Sequence, residues 1–178
     1  PAEAVLALRA DRQTVDILRT RFVGASKTAR LVGLDGPKAV SHYFIGDDPK
    51  SWVASVPTYS MVRCEGVYPG VDLVYYGNQR ELEYDFVIDA GVDPKVITIG
   101  LEGADRIRVD HNGDLVLSVP GGDVRHHRPI VYQEVNGQKL QIAGGYVLRE
   151  GNLVGFELGD YDARLPLVID PVLSYSTY

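Results

Sequence analysis

Three acidic side chains, Glu81, Glu83 and Asp85, alternate along one segment of the chain. In an extended strand, alternate residues point to the same face about 7 Å apart, which is near the separation of the two carboxyl groups of a glycosidase. The same alternation is typical of the solvent-facing side of any half-buried strand, and apolar residues intervene at the positions between them. We favour the solvent-facing interpretation and keep a hydrolase that uses these carboxylates as an alternative.

Two histidines and an acidic turn carry metal-ligating residue types. His126 and His127 are adjacent, and neighbouring residues of a strand point to opposite faces, so the two rings cannot bind one metal ion together. The segment DHNGD at 110–114 has part of the composition of a calcium loop. It lacks the rest of the twelve-position pattern with its final glutamate, and we interpret it as a hairpin turn.

A second acidic group, Asp160, Asp162 and Asp170, offers oxygen ligands of the kind that Ca²⁺ prefers. Asp160 and Asp162 stand in a Gly-Asp-Tyr-Asp segment whose composition is also that of an ordinary turn. We keep the three carboxylates as a candidate calcium site, favour the turn, and predict no cofactor.

The chain offers few signals for catalysis by a nucleophile. It has no Gly-x-Ser-x-Gly elbow and no glycine-rich phosphate loop. Cys64, which is the only cysteine, has no histidine near it in sequence and is interpreted as a small buried hydrophobic residue. The sequence therefore favours a protein that is not an enzyme. Tyr75 and Tyr76 suggest a carbohydrate-binding surface as an alternative, because aromatic faces stack on sugar rings.

Composition and charge exclude several kinds of partner. The 178 residues are 45% hydrophobic and 24% charged, which is typical of a soluble globular protein. The formal net charge is −6 and the basic residues are scattered, so we predict no nucleic-acid binding. No apolar run approaches the roughly 18 residues that a membrane-spanning helix needs.

Short strands joined by turns account for most of the remaining sequence. Asn112-Gly113 and Asn136-Gly137 each stand between alternating segments, and Asn-Gly is typical of the two-residue type I′ hairpin turn. Residues 71–76 and 81–88 form a further hairpin pattern, and from residue 97 onward the succession of hairpins predicts a β-meander. The fold class is therefore all-β, an antiparallel β-sandwich or a meander of hairpins, with little helix.

Two segments are less clear. The N-terminal segments at 4–8 and 14–23 fit either helix or strand, and we interpret them as a hairpin because the linker between them is short and polar. In residues 41–58, a short apolar run is followed by GDDPKSW. We interpret this second segment as a turn or a single helical turn that sets Trp52 against the core.

Several motifs resemble one known family along nearly the whole chain. They are YFIGDDPKSW at 43–52, VPTY at 56–59, VYPGVDLVYYG at 67–77, LEYDF at 82–86, PIVYQE at 129–134 and PLVIDPVLSYSTY at 166–178. The chain resembles the N-terminal module of bacterial surface proteins that carry seven-bladed β-propeller-type (SBBP) repeats. The resemblance implies one β-rich module over residues 1–178, located outside the cell or on its surface, without an assigned biochemical function.

The same resemblance implies that the first strands of the module are missing from this chain. A sheet without them has an open edge, and open edges recruit strands from other chains. We therefore predict a structural or interaction module whose partners are copies of itself or adjoining domains, assembled by strand addition into a filament. The residues of the two candidate exchange segments are Ala2, Val5, Leu6, Leu8, Leu173, Tyr175 and Tyr178.

Overall fold

A computed structural model describes residues 3–9, 15–78 and 81–175. The side chains it describes are those of residues 17–76 and 83–172. The strands in these residues are β1 (Glu3–Arg9), β2 (Val15–Phe22), β3 (Arg30–Gly33), β4 (Ala39–Tyr43), β5 (Val53–Thr58), β6 (Met61–Tyr68), β7 (Val71–Asn78), β8 (Glu81–Ile88), β9 (Ile99–Glu102), β10 (Arg106–Val109), β11 (Leu115–Val119), β12 (Gly122–His126), β13 (Ile130–Val135), β14 (Gln138–Ile142), β15 (Gly144–Arg149), β16 (Leu153–Leu158), β17 (Leu167–Asp170) and β18 (Leu173–Tyr175). Two short 3₁₀ turns, Pro49–Ser51 and Pro94–Val96, are the helical segments of this part of the chain.

Two antiparallel sheets pack face to face through aromatic side chains. Sheet I has the order β1-β2-β9-β16-β15, and sheet II has the order β14-β13-β17-β8-β7-β6-β3. Phe86 of sheet II meets Phe22 and Phe156 of sheet I, with ring centroids 5.5 and 5.7 Å apart. The alternation on β8 explains this contact, because Tyr84 and Phe86 point inward while Asp85 points outward. The all-β, antiparallel fold class predicted from the sequence is confirmed.

Sheet III, with the order β10-β11-β12-β18, adds its own apolar side chains to the same core. The hairpins predicted beyond residue 97 are present, but they do not form one meander. Strands β10–β12 lie in sheet III, β13 and β14 in sheet II, and β15 and β16 in sheet I. The prediction of a continuous meander is wrong. Local turn residues determine each hairpin, but the sheet that a hairpin joins depends on burial against strands that are distant in sequence.

The two Asn-Gly turns differ from each other. Asn136 and Gly137 have φ values of 52° and 76°, so the type I′ prediction is confirmed there. At the other turn only Gly113 has a positive φ, of 86°. The Gly113 N–H donates to the Asp110 carbonyl and the Asp110 N–H to the Asp114 carbonyl, which makes a longer turn, and the type I′ prediction is wrong at this position. Asp110 explains the difference, because its carboxylate accepts the N–H groups of Asn112 and Asp114.

Both candidate exchange segments pair within the chain. β1, which contains Val5, Leu6 and Leu8, is antiparallel to β2 in an unbroken register, and this confirms the predicted N-terminal hairpin. β18, which contains Leu173 and Tyr175, pairs with β12. Ala2 and Tyr178 lie outside the described residues. In the part of the chain that the structure covers, no helix is long and apolar enough to cross a membrane.

Candidate interaction site

An arm of residues 39–58 projects from the edge of sheet II. The chain leaves the sheet at the end of β3, runs out along β4, and returns along β5 into β6. Hydrogen bonds hold the base: the Leu34 N–H donates to the Met61 carbonyl at 3.1 Å, and the Ser60 hydroxyl donates to the Asp35 carboxylate. The ring of Tyr59 packs directly on Gly33, where any side chain would collide with it. The arm is therefore anchored firmly where it leaves the sandwich.

The arm itself is exposed on both faces although it is rich in apolar side chains. Phe44 is 62% exposed, Ile45 is 73% exposed and Trp52 is 41% exposed. Val40, Tyr43 and Val53 are exposed as well. The core cluster of buried residues in the described chain draws on all three sheets and includes no residue of β4 or β5.

Trp52 corrects the sequence prediction for this segment. The single helical turn is present, as the 3₁₀ turn Pro49–Ser51, but Trp52 does not pack against the core. Its ring meets Phe44 edge-on at 5.3 Å, and its indole N–H donates to the Gly46 carbonyl at 3.0 Å. The prediction was wrong because the arm carries Trp52 away from the sandwich.

The two edges of the arm differ in backbone geometry. β5 contains a bulge at Ser55, whose φ is 58°, and its N–H donates to Nδ1 of His42 at 3.2 Å. Pro57 on the same strand has no N–H to offer to a further strand. β4 contains neither a proline nor a positive φ value. The open edge of β4 is therefore the one that can accept a partner strand.

A polar cluster lies on the outer face of sheet II. The Tyr76 hydroxyl donates to Oδ1 of Asp85 at 2.9 Å. The register of β8 with β17 sets Asp170 opposite Asp85, since Ile169 pairs with Phe86 and Val172 bridges to Glu83.

Partial burial shifts the pKa values in this cluster. Burial, reinforced by the charge of Asp170, raises the pKa of Asp85 to about 6. Burial also raises the pKa of Asp170 and of the Tyr76 hydroxyl. Two neighbouring carboxyl groups of this kind share one proton more readily than they both ionise.

We expect Asp85→Asn to change how stability depends on pH. A carboxyl whose pKa is raised by folding stabilises the protein below its unfolded pKa, near 4, and this contribution is lost as the pH rises through about 6. Because Asp85 is only half-buried, we expect Asp85→Asn to raise the free energy of unfolding at pH 7 by about 1 kcal/mol relative to wild type, and by less at pH 4.

Urea unfolding at both pH values checks this expectation, with the exposed Glu150→Gln as the control. His126, whose pKa burial lowers to about 4, opposes Asp85 over the same pH range in every variant, so only the difference from wild type is informative. If the free energy of unfolding depends on pH identically in wild type and Asp85→Asn, Asp85 and Asp170 do not share a proton in the folded domain.

The structure separates most of the other residues singled out from the sequence. Tyr75 faces inward against Tyr84, at 6.3 Å between ring centroids, while Tyr76 faces outward, so the pair does not form one sugar-stacking surface. Asp162 binds Arg164 through both carboxylate oxygens, whereas Asp170 lies beside Asp85. Within residues 17–76 and 83–172, no group of three or more potential metal ligands comes together.

The remaining candidates are the cysteine, the two adjacent histidines and the three strand carboxylates. Cys64 is fully buried, which confirms the interpretation of it as a hydrophobic residue, and burial raises the pKa of its thiol. His126 is buried while His127 reaches Asp114 at 3.2 Å, as expected for opposite faces of a strand. Of the three strand carboxylates, Glu83 and Asp85 share the outer face of sheet II, and the side chain of Glu81 lies outside the described residues.

A family model for a domain of unknown function, DUF7948, matches residues 4–172. The chain belongs to the DUF7948 family. The match extends from β1 to the residue before β18, so this DUF7948 domain includes the exposed arm as well as the sandwich. No curated protein and no solved structure matches the chain.

Proposed function

We propose that this DUF7948 domain is a structural or interaction module of a bacterial surface protein, and that it binds other protein domains through its arm. The observation that carries the proposal is a two-stranded hairpin that exposes large apolar side chains on both faces. A hairpin of two strands is marginally stable in water by itself, and clustered exposed apolar residues mark interaction surfaces. Binding to another β domain covers these side chains.

The charges of the arm favour a protein partner over a lipid surface. Asp47 and Asp48 lie at the tip, between Phe44 and Trp52, and inserting them into a membrane costs free energy. The net charge of −6 also disfavours approach to anionic lipids. The partners that fit are copies of this domain or adjoining domains of the same surface protein.

The location outside the cell and the neighbouring SBBP-type repeats belong to the proposal as well. Their support is the resemblance of motifs such as YFIGDDPKSW and PLVIDPVLSYSTY to modules of bacterial surface proteins. The first of these motifs forms the tip of the arm.

Strand exchange by the chain ends is a less favoured route to assembly. β1 and β18 already have partners in their own sheets, so donating either strand to another copy first breaks those pairings. The arm needs no such rearrangement, because its open edge and its apolar side chains are accessible as it stands.

We expect the wild-type domain to self-associate with rising concentration and Phe44→Ser/Trp52→Ser to remain monomeric. The two substitutions remove the largest aromatic pair of the arm, and truncating such a central pair typically weakens an interface by tenfold or more. Sedimentation velocity from micromolar to millimolar concentration measures the change.

The matched control is Leu140→Ser/Leu148→Ser, which removes exposed apolar side chains from β14 and β15, away from the arm. The control is expected to associate like wild type. An arm variant that associates as well as wild type contradicts the proposed function, and a wild-type domain that stays monomeric throughout excludes copies of this domain as the partners.

A further inference from the structure

We propose that the partner of the arm is a second copy of this domain, joined through the open edges of the two β4 strands about a two-fold axis at Ser41. The product is a continuous antiparallel sheet with the order β5-β4-β4-β5. This inference rests on the proposed function and specifies its partner and its geometry.

The backbone directions on the arm support an axis at Ser41. The Thr58 carbonyl accepts the Lys38 N–H at 2.8 Å, so Thr58 directs its backbone groups toward β4. Successive residues of a strand direct their backbone N–H and carbonyl groups to opposite edges, so the carbonyl of Pro57 points away from β4. Its register partner Val40 then directs its N–H and carbonyl to the open edge, as does His42, while Ser41 faces β5.

A two-fold axis at Ser41 allows the outward-facing N–H and carbonyl groups of Val40 and His42 to form hydrogen bonds in both copies. The His42 N–H of each copy donates to the Val40 carbonyl of the other, and the two Ser41 residues form the non-hydrogen-bonded pair between them. All five residues of β4 are then in register. The sheet gains two strands and leaves the two-stranded state in which a hairpin is only marginally stable.

β4 lacks the charged residues found on most other edge strands of this domain. Charged residues discourage strand addition at sheet edges. They occur in edge strands β1, β3, β10, β14 and β15, whereas Ala39–Tyr43 contains no Asp, Glu, Lys or Arg. Among the edge strands that the structure describes, β4 and the three-residue β18 contain neither a charged residue nor a proline, and β4 is the longer of the two. The open edge of β4 therefore offers more backbone groups for pairing with another strand.

The side chains beside the axis are complementary to themselves. In this register Val40 lies opposite His42 of the other copy, and Lys38 lies opposite Phe44, where an ammonium group can rest on the aromatic ring. The six apolar side chains of one arm are each about half exposed. At about 200 Å² for a large apolar side chain, one arm exposes roughly 600 Å² of apolar surface. Two copies bring about 1,200 Å² to the contact, the lower limit for a specific interface. Edge pairing covers part of that area, so we expect a weak dimer.

This contact closes on itself. A two-fold interface uses the same surface on both copies and leaves no further copy of that surface free. The arm therefore gives a dimer, and the filament predicted from the sequence requires a different contact.

A disulfide at the axis tests the geometry. In an antiparallel non-hydrogen-bonded pair the Cα atoms are about 4.5 Å apart, within the range of a disulfide. We expect Ser41→Cys to form a covalent dimer under mild oxidation, seen on a non-reducing gel and reversed by thiol. Val56→Cys is the control, since Val56 is the register partner of Ser41 on β5 and lies on the side away from the axis. The native Cys64 is fully buried and does not compete.

The outcomes separate this inference from the proposed function. A dimer from Ser41→Cys that is absent from Val56→Cys, and that Phe44→Ser/Trp52→Ser suppresses, supports it. If wild type associates through the arm but Ser41→Cys forms no disulfide, or Val56→Cys forms it equally well, the two-fold pairing is overturned while the proposed function stands. Arm-dependent filaments in place of a dimer also overturn it. A monomeric wild type overturns the pairing of two copies and leaves adjoining domains as the partners under the proposed function.

Discussion

Replacing Gln133 with leucine is expected to lower the free energy of unfolding by about 3 kcal/mol. The Gln133 side chain is buried in sheet II and fixes the loop before β17. Its amide nitrogen donates to the Asp162 carbonyl at 2.8 Å, and its amide oxygen accepts the Asp162 N–H at 2.9 Å. Further donor contacts reach the carbonyls of Leu165 and Pro166. Leucine fills similar space but leaves these backbone groups without partners away from water.

Urea unfolding measures this loss, and amide exchange at Asp162 locates it. Gln141→Leu on β14 is the control, because Gln141 is exposed and is expected to change stability by less than about 0.5 kcal/mol. Equal stability of Gln133→Leu and wild type would show that the loop is held by other contacts.

Replacing Phe86 with alanine is expected to cost about 4 kcal/mol, the largest effect among these substitutions. The ring is fully buried at the centre of the sandwich and meets Phe22, Tyr84 and Phe156, with ring centroids 5.5 to 5.7 Å apart. Its removal leaves a cavity between sheets I and II that the two sheets cannot easily close, because each is held by its own hydrogen-bonded ladders.

The matched substitution is Phe44→Ala on the arm. The same ring is lost there from an exposed site, so the monomer is expected to lose less than about 0.5 kcal/mol. Thermal unfolding at low concentration, where the domain is monomeric, compares the two. Similar losses at both sites would mean that the arm packs against the sandwich.

Local signals in the sequence predict local structure in this domain. The positive φ values of Asn136 and Gly137 follow from the residue types, and the alternation around Tyr84 and Phe86 identifies the buried face of β8. The N-terminal hairpin follows from the short polar linker between its two segments. In each case the residues that decide the structure lie within a few positions of one another.

Non-local pairing accounts for what the sequence did not predict. Tryptophan is a residue type that is usually buried, and Trp52 is exposed because the arm projects from the sandwich. Asp170 lies beside Asp85 rather than Asp162, because β17 pairs with β8, which is distant in sequence. The partition of successive hairpins among three sheets is likewise decided by burial against distant strands.

Self-association through the arm is the central proposal for this domain. The measurement that tests it most directly is the weight-average mass of the wild-type domain as a function of concentration, compared with that of Phe44→Ser/Trp52→Ser. We predict that the wild-type mass rises toward that of a dimer, while the mass of the variant stays at the 19.5 kDa of one chain. Superimposable curves for the two proteins, whether both rise or both remain flat, would contradict the claim.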